Sequence, residues 1–400
     1  MIKSSGYSKV LRPEEMDLWK KKAPLLDHLD IELTERCNFD CLHCYINLPA
    51  GDRKTKSREL STERIKAILE EAASLGCLKV RFTGGEPLLR KDFEELYVFA
   101  RRLGLKVILF TNASLLTPRL AGVFARIPPL EKIEVTVYGM TKASYEKVTR
   151  TRGSFEAAWR GIRLLLDKKI PFVAKGAYLP ANRNDADEFD RWASGIPWMD
   201  NAPPYSQSFN LRCRRDSDEK NRTIKGLRLP PEEGLKVLVR DESAFLEEMR
   251  GFCQRFMAPA GRRLFSCGAG HGRGNVDAYG YFSPCLLLKA PETNYDLGQG
   301  SLKDALTVFF PKIRAGQAKN PDYIARCARC FLMGLCSQCP ARSWMENGTL
   351  DAPADYLCEV AHEKARRLGL LEDGEKAWEV KGWKTRVRRL GTAGRTGKRA

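Results

Sequence analysis

Cys37, Cys41 and Cys44 stand in the run Thr34-Glu35-Arg36-Cys37-Asn38-Phe39-Asp40-Cys41-Leu42-His43-Cys44-Tyr45. A C-x3-C-x2-C spacing brings three thiolates close enough to hold three irons of one cubane. Iron–sulfur clusters ordinarily take four cysteines, so three leave one iron open to substrate or cofactor. An open position separates catalytic from structural zinc, and the same logic makes an open iron reactive. A zinc knuckle, or cysteines grouped by chance, is the plainer reading of the run.

The chain has thirteen cysteines. Seven fall in two tight groups, Cys37 to Cys44 and Cys327 to Cys339. The count is odd and cytosolic disulfides are rare, so metal or cluster ligation explains them better than a disulfide framework. Cys267 and Cys285 precede the run Cys327-x2-Cys330-x5-Cys336-x2-Cys339, and Cys358 follows it. Two C-x2-C pairs alone would also suit a zinc ribbon. Cys77 lies in an apolar stretch and reads as a buried core thiol.

The elements that must position these groups alternate between strand and helix. Strands are predicted over 28–33, 79–83, 106–111, 133–138 and 171–178, with a sixth over 206–211. Helices are predicted over 61–75, 93–103, 118–126, 155–166 and 185–193. Ser61 supplies N-cap chemistry, and Ile65, Ile68, Leu69 and Ala72 form an apolar face. Gly104 suits a helix C-terminus. This alternation implies a parallel sheet with right-handed crossovers, whose catalytic groups gather at the C-terminal strand ends. The special sequences fall there: the cysteines, Gly84-Gly85-Glu86-Pro87, Thr111-Asn112-Ala113 and Glu134-Val135-Thr136-Val137-Tyr138-Gly139. Paired glycines permit unusual backbone angles and close approach to a ligand. Residues 212–230 read as a polar linker and 231–250 as helical. Beyond Cys267, glycine and cysteine are frequent and apolar periodicity is weak, so metals would serve as staples.

Four hundred residues suggest two or three domains. Met1 to Val10 has no signal-peptide-type apolar stretch. No run approaches the roughly 20 apolar residues of a membrane span, so a cytoplasmic protein without membrane contact is expected. The net charge is +18, and the last twenty residues carry eight Lys or Arg and no acid. That end reads as a solvated, disordered basic tail rather than a nucleic-acid binder. The remaining excess suits an acidic peptide substrate.

The cysteine run, with His43 before the last cysteine, resembles the radical S-adenosylmethionine (radical SAM) superfamily. The resemblance implies a [4Fe–4S] cluster on Cys37, Cys41 and Cys44 whose open iron binds S-adenosylmethionine. Reductive cleavage would give a 5′-deoxyadenosyl radical that abstracts hydrogen from substrate. It also implies cofactor contacts from His43, Tyr45, Gly84, Gly85, Glu86, Pro87, Asn112, Thr136 and Lys175, with Lys175 pairing the cofactor carboxylate. Ala113 departs from the family's Thr-Asn-Gly segment.

The later cysteines resemble the SPASM extension, which usually carries two auxiliary [4Fe–4S] clusters. By its crossed pattern Cys327, Cys330, Cys336 and Cys358 hold one, and Cys267, Cys285 and Cys339 the other. Cys253, or less readily Cys213, supplies its fourth ligand, unless one iron stays open. The family usually has three residues between its fifth and sixth cysteines, where Cys336 and Cys339 enclose two. The implied fold is α/β: a partial (β/α)6 radical SAM barrel followed by a Cys-rich SPASM domain. The expected division is an extension over 1–25, the barrel over 26–215, a helical linker over 216–265, the auxiliary-cluster domain over 266–370 and the basic tail over 371–400.

SPASM members mostly modify ribosomally made peptides or proteins by crosslinking, thioether formation, epimerisation or oxidation. The sulfatase-maturing group usually has Asp where Leu286 stands, which argues against that branch. His271, Asp277 and Tyr281 read as solvent-facing polar residues. Some 27 residues precede the first strand, fewer than a leader-binding domain needs, so a separate leader-binding protein or direct docking is expected. The reductant would be a flavodoxin or ferredoxin. Radical chemistry on a small molecule or tetrapyrrole is the alternative. A non-catalytic iron–sulfur or zinc protein binding nucleic acid is an alternative of another class.

Overall fold

The computed structural model describes residues 25–46, 48–197, 206–213, 217–239 and 241–392. Six parallel strands lie side by side in the order β1 (Leu26–Thr34), β4 (Lys79–Gly84), β5 (Lys106–Thr111), β6 (Leu130–Val137), β7 (Phe172–Ala177) and β8 (Ser206–Ser208). The intervening β2 (Arg36–Cys37) and β3 (Leu48–Pro49) pair only with each other. Helices join consecutive parallel strands, as a βαβ chain requires. The first, Thr62–Ser74, starts where the Ser61 hydroxyl accepts from the Arg64 N–H at 3.2 Å, and buries the predicted Ile65, Ile68, Leu69 and Ala72. Thr117 caps Pro118–Arg126 in the same way.

Alternation along the strands separates two faces. Leu29, Ile31, Leu33, Val80, Phe82, Val107, Leu109, Ile133, Val135 and Phe172 join one apolar core with the helices. The alternate positions of β1, β4, β6 and β7 are polar: Asp30, Glu32, Arg81, Thr83, Glu134, Thr136 and Lys175. Burying charge is costly unless it is paired, and these groups are paired. Arg81 donates to Asp30 at 2.8 Å, and Lys175 pairs with Glu134. The sheet thus carries an apolar outer face and a charged inner one.

The C-terminal half does not begin a separate sheet. Gly272–Val276 (β9) pairs in parallel with β1 on the edge opposite β4. Tyr281–Ser283 (β10) and Tyr295–Asp296 (β11) continue antiparallel, giving nine strands. Gly274 is required here because a Cβ would lie 2.2 Å from the Phe282 ring. Asp277 is the cap of this hairpin: its carboxylate accepts the Tyr279 and Tyr281 N–H groups, both at 2.9 Å. Fully buried Glu32 on β1 accepts two bonds from Lys289 Nζ, at 2.8 and 2.6 Å, and binds the two halves together.

Two expectations are corrected. The 212–230 linker contains a helix, Asp218–Gly226, capped by Ser217 and burying Asn221 and Ile224. The basic tail is not wholly disordered: Trp383–Thr392 is helical and packs on the Glu242–Phe256 helix. Trp383, Val387 and Leu390 give it an apolar face, and Trp383 stacks on Phe331 with centroids 5.4 Å apart. Residues 1–24 and 393–400 of the two expected end segments lie outside the described residues. Among the described residues, no helix is long and apolar enough to cross a membrane.

Burial raises the Glu32 carboxyl to about 7, against the opposing pull of Lys289. A carboxyl raised in the fold stabilises it fully below the ordinary value of 4.5, and that contribution is lost as pH rises through 7. Removing Lys289 removes the compensating charge. Lys289→Met should therefore lower the unfolding free energy by about 3–5 kcal/mol at pH 8. The loss should be much smaller at pH 5, where the carboxyl is protonated; urea midpoints at the two pH values check this.

Candidate active site: a three-thiol cavity at the strand ends

β1 ends at Thr34, and the cysteine loop begins at once. Its backbone is clamped by the segment leaving β4. The Gly85 N–H donates to the Thr34 carbonyl at 2.7 Å, and the Glu86 N–H to the Arg36 carbonyl at 3.0 Å. A Cβ at Gly84 would lie 2.0 Å from the Thr34 oxygen, and one at Gly85 2.3 Å from the Arg36 oxygen. Gly84 also has φ +135°, a region side chains avoid. The glycine pair is thus needed for contact with the cysteine loop itself.

Glu86 is fully buried and turned into the protein. Its carboxylate accepts Thr111 Oγ1 and the Asn112 N–H, both at 2.8 Å, and the Leu88 N–H at 3.1 Å. It therefore fixes the end of β5 to the end of β4. Asn112 Nδ2 donates to Asn38 Oδ1 at 3.1 Å, and Asn38 donates to Ser114 Oγ at 2.8 Å. These bonds fasten the residue after Cys37 to the neighbouring strand end. On the other side the Asp40 and Leu42 N–H groups donate to the Thr149 and Val148 carbonyls. Phe39 packs edge-on against Tyr138 and Tyr145.

The result is one cavity of about 290 Å³. Cys37, Cys41 and Cys44 line it with His43, Tyr45, Gly84, Gly85, Glu86, Asn112, Thr136 and Lys175. Pro87 is absent from its wall and instead opens a short helical turn. Lys175 is already paired with Glu134 and sits 4.0 Å from the Phe110 ring centre. Arg212 and Leu286 complete the wall, and neither is expected there from the sequence. Arg212 falls in the segment expected to be a linker, and its only sequence signal is its place just after the last strand.

Burial pushes the Cys37 thiol up to about 12, and Cys41 well above the ordinary thiol value. Bound iron would deprotonate them outright, since a coordinating thiol loses its proton. Three thiols on one wall, with room beside them, suit a [4Fe–4S] cluster carrying an open position. Burial and Lys220 lower His43 to about 4, so its ring is neutral near pH 7.

The other cysteines form two groups. Cys327, Cys330, Cys336 and Cys358 line a cavity of about 60 Å³. Burial pushes the Cys285 and Cys339 thiols up, and Cys267 lies near enough to both to add to the rise, as Cys339 does for Cys285. Cys253 does not join them. It is fully buried in the apolar cluster around Phe331 and Leu332, and burial alone pushes it up to about 11. Cys213 lies 3.2 Å from Glu346 Oε1 and 3.0 Å from Arg228 Nη2. Cys77 donates to the Lys79 carbonyl at 3.1 Å, as a core thiol.

Parallel strands whose ends hold three thiols in one cavity define the class, and comparison agrees with it. Residues 31–193 match the family model of the Radical SAM superfamily, and this part of the chain is a radical SAM domain. Such domains use a [4Fe–4S] cluster and S-adenosylmethionine. Fe-coproporphyrin III synthase of Methanosarcina barkeri is 34% identical over 155 residues, 39% of this chain and 37% of that protein. PqqA peptide cyclase of Gluconobacter oxydans is 36% identical over 143 residues, 36% of this chain and 38% of that protein. The chain thus spans well under half the length of either relative. In fold it resembles Streptococcus suis SuiB bound to precursor peptide SuiA, with a TM-score of 0.60, 17% identity and coverage of 86% of this chain and 78% of that one. It also resembles native anSMEcpe with bound AdoMet, with a TM-score of 0.59, 14% identity and coverage of 92% of this chain and 99% of that one.

Two outcomes test this geometry. A Gln at position 86 would turn an NH2 toward donors it must accept from. Glu86→Gln should lower the unfolding free energy by about 1–3 kcal/mol. Burial raises the Glu86 carboxyl to about 7 from 4.5 despite its donors. The wild-type chain should therefore lose stability between those pH values as the buried group ionises, and the variant should lack that decline in a melting series. Ala113 holds φ +60°, a strain for a residue with a Cβ. Ala113→Gly should stabilise by about 0.5–1 kcal/mol, the left-handed penalty less the entropy cost of glycine; thermal unfolding checks it.

Proposed function

We propose that this chain is a radical SAM enzyme that modifies a ribosomally made peptide or protein. The observation that carries the reading is the single cavity shared by Cys37, Cys41 and Cys44 and the polar ends of β4, β5, β6 and β7. When bound there, a [4Fe–4S] cluster with S-adenosylmethionine supplies a 5′-deoxyadenosyl radical that takes hydrogen from substrate. The three cysteines hold the cluster. The Gly84-Gly85 backbone and the Glu86 carboxylate keep their loop in place. Asn112, Thr136 and the rings of His43 and Tyr138 wall the space beside it. Water is restrained by Phe39, Phe110 and Leu286 on the same wall.

A peptide substrate is supported by size and by likeness. About 290 Å³ is at the lower end for small-ligand pockets. With a nucleoside cofactor bound there, the remaining space would suit a substrate side chain rather than a large molecule. SuiB holds a precursor peptide, and PqqA peptide cyclase is named for one. Leu286 leaves no carboxylate after Cys285 to receive a proton. Cys327, Cys330, Cys336 and Cys358 hold one auxiliary cluster and Cys267, Cys285 and Cys339 a second. With Cys253 and Cys213 engaged elsewhere, that second cluster keeps an open iron suited to a substrate thiolate. A tetrapyrrole substrate is the second reading, favoured by the relative named Fe-coproporphyrin III synthase and by one named AdoMet-dependent heme synthase.

Anaerobically reconstituted chain should carry about twelve irons, three cubanes of four. The Cys37→Ala/Cys41→Ala/Cys44→Ala variant should keep about eight and form no 5′-deoxyadenosine after dithionite reduction. Zinc in place of iron, or no 5′-deoxyadenosine from the loaded wild-type protein, would overturn the reading.

A further inference from the structure

Arg342 lies on the Pro340–Asn347 helix, three residues after Cys339, and is only 9% exposed. Its Nη1 is enclosed and has no hydrogen-bond partner. The charged groups facing it are Arg212, Arg228 and Glu346, with the Cys339 thiol. Among the described residues, Glu346 is thus the carboxylate beside Arg342, and Arg228 and Lys225 already engage it. A buried guanidinium without an anion is strongly disfavoured, so this arrangement calls for a negative ligand.

Arg212 carries the same deficit into the cavity. It lines the wall, and its Nη1 donates to the Tyr45 hydroxyl at 3.0 Å. No carboxylate pairs with it among the described residues. The other cavity cation, Lys175, is held by Glu134. Asn210, two residues earlier on the same wall, has an enclosed Oδ1 without a partner. The amide's oxygen and nitrogen are interchangeable by a flip, so it can present an N–H to an acceptor. Leu286, directly after Cys285, lines the same cavity.

We propose that Arg212 and Arg342 form a carboxylate-binding subsite for the substrate, on the side of the cavity that faces Cys267, Cys285 and Cys339. Arginine suits this role because its planar fork matches a carboxylate with two donors. The inference rests on the cavity being the radical site, and it adds the chemistry by which substrate is chosen. An acidic side chain of a peptide and a propionate of a tetrapyrrole offer the same group. The peptide carboxylate fits the narrow cavity better.

The test is equilibrium binding to reconstituted full-length chain at high salt, where non-specific attraction is screened. The probes are a fluorescein-labelled decapeptide with one central Glu, its Gln counterpart, iron-coproporphyrin III and S-adenosylmethionine. The Glu peptide should bind at least tenfold tighter than the Gln peptide. Arg212→Gln and Arg342→Gln should abolish that preference, and Arg342→Lys should keep part of it. If the arginine variants instead weaken iron-coproporphyrin III tenfold and the peptide pair shows no preference, the subsite stands and its carboxylate is a propionate. Three outcomes would overturn the subsite: no loss for any carboxylate probe; weaker S-adenosylmethionine binding alone, making the arginines cofactor contacts; or fewer irons in Arg342→Gln, making Arg342 a counter-charge for the thiol group. Wild-type 5′-deoxyadenosine formation without substrate is measured on the same samples. Its absence would sink the radical reading, whereas the carboxylate preference stands or falls separately.

Discussion

The exits of β1 and β4 touch backbone to backbone, and the rest of the site is built on that contact. Gly85 and Glu86 donate to the carbonyls of Thr34 and Arg36, at spacings that leave no room for a Cβ. Any side chain at Gly85 would push the cysteine loop away from the sheet. The next residue, Glu86, then extends the hold by one strand, since its carboxylate collects Thr111 and Asn112 from β5. Asn112 returns the connection to Asn38, beside Cys37. A buried carboxylate is a costly way to join two strands. It is tolerated because three donors converge on it, and a partly satisfied group would be worse than an apolar one.

Much of this was legible in the sequence because it is local. Strand and helix periodicity placed the six parallel strands, and the strand ends carry the cysteine, Gly-Gly-Glu and Thr-Asn segments in succession. What escaped was non-local. The pairing of Lys175 with Glu134 depends on the register of β6 against β7, where Thr136 stands opposite Lys175. Sequence spacing alone does not fix that register. The Gly272–Val276 strand reads as a glycine-rich loop, yet it pairs with β1 because Phe282 fills the place of the missing side chains. The Asp218–Gly226 helix is almost wholly polar, so its periodicity carried no signal. The tail helix hides three apolar residues among four Lys and Arg.

The inner face of the sheet explains why the two halves of the chain cannot be treated apart. Polar side chains on β1 must find partners within a water-poor interior, and Asp30 does so locally with Arg81 and His28. Glu32 finds none in the barrel and takes Lys289 from the other half. Tyr279 repeats the pattern by donating to Glu35 at 2.6 Å, and Arg58 covers its ring at 4.5 Å. The position of Cys285, four residues before Lys289, is therefore set by the sheet itself and not by a flexible joint.

That rigidity assigns different tasks to different walls. The strand ends β4 to β7 present glycines, amides and hydroxyls, which hold the loop and suit a cofactor common to many enzymes. Leu286 and Arg212 come from segments beyond the 31–193 region matched by the family model. They are positioned by the β9 hairpin and by the end of the last strand. A cavity built this way can keep its cysteine loop and strand-end wall while exchanging only those two segments. What distinguishes one such cavity from another is then the charge those segments leave unpaired, which among the described residues here is the Arg212 guanidinium.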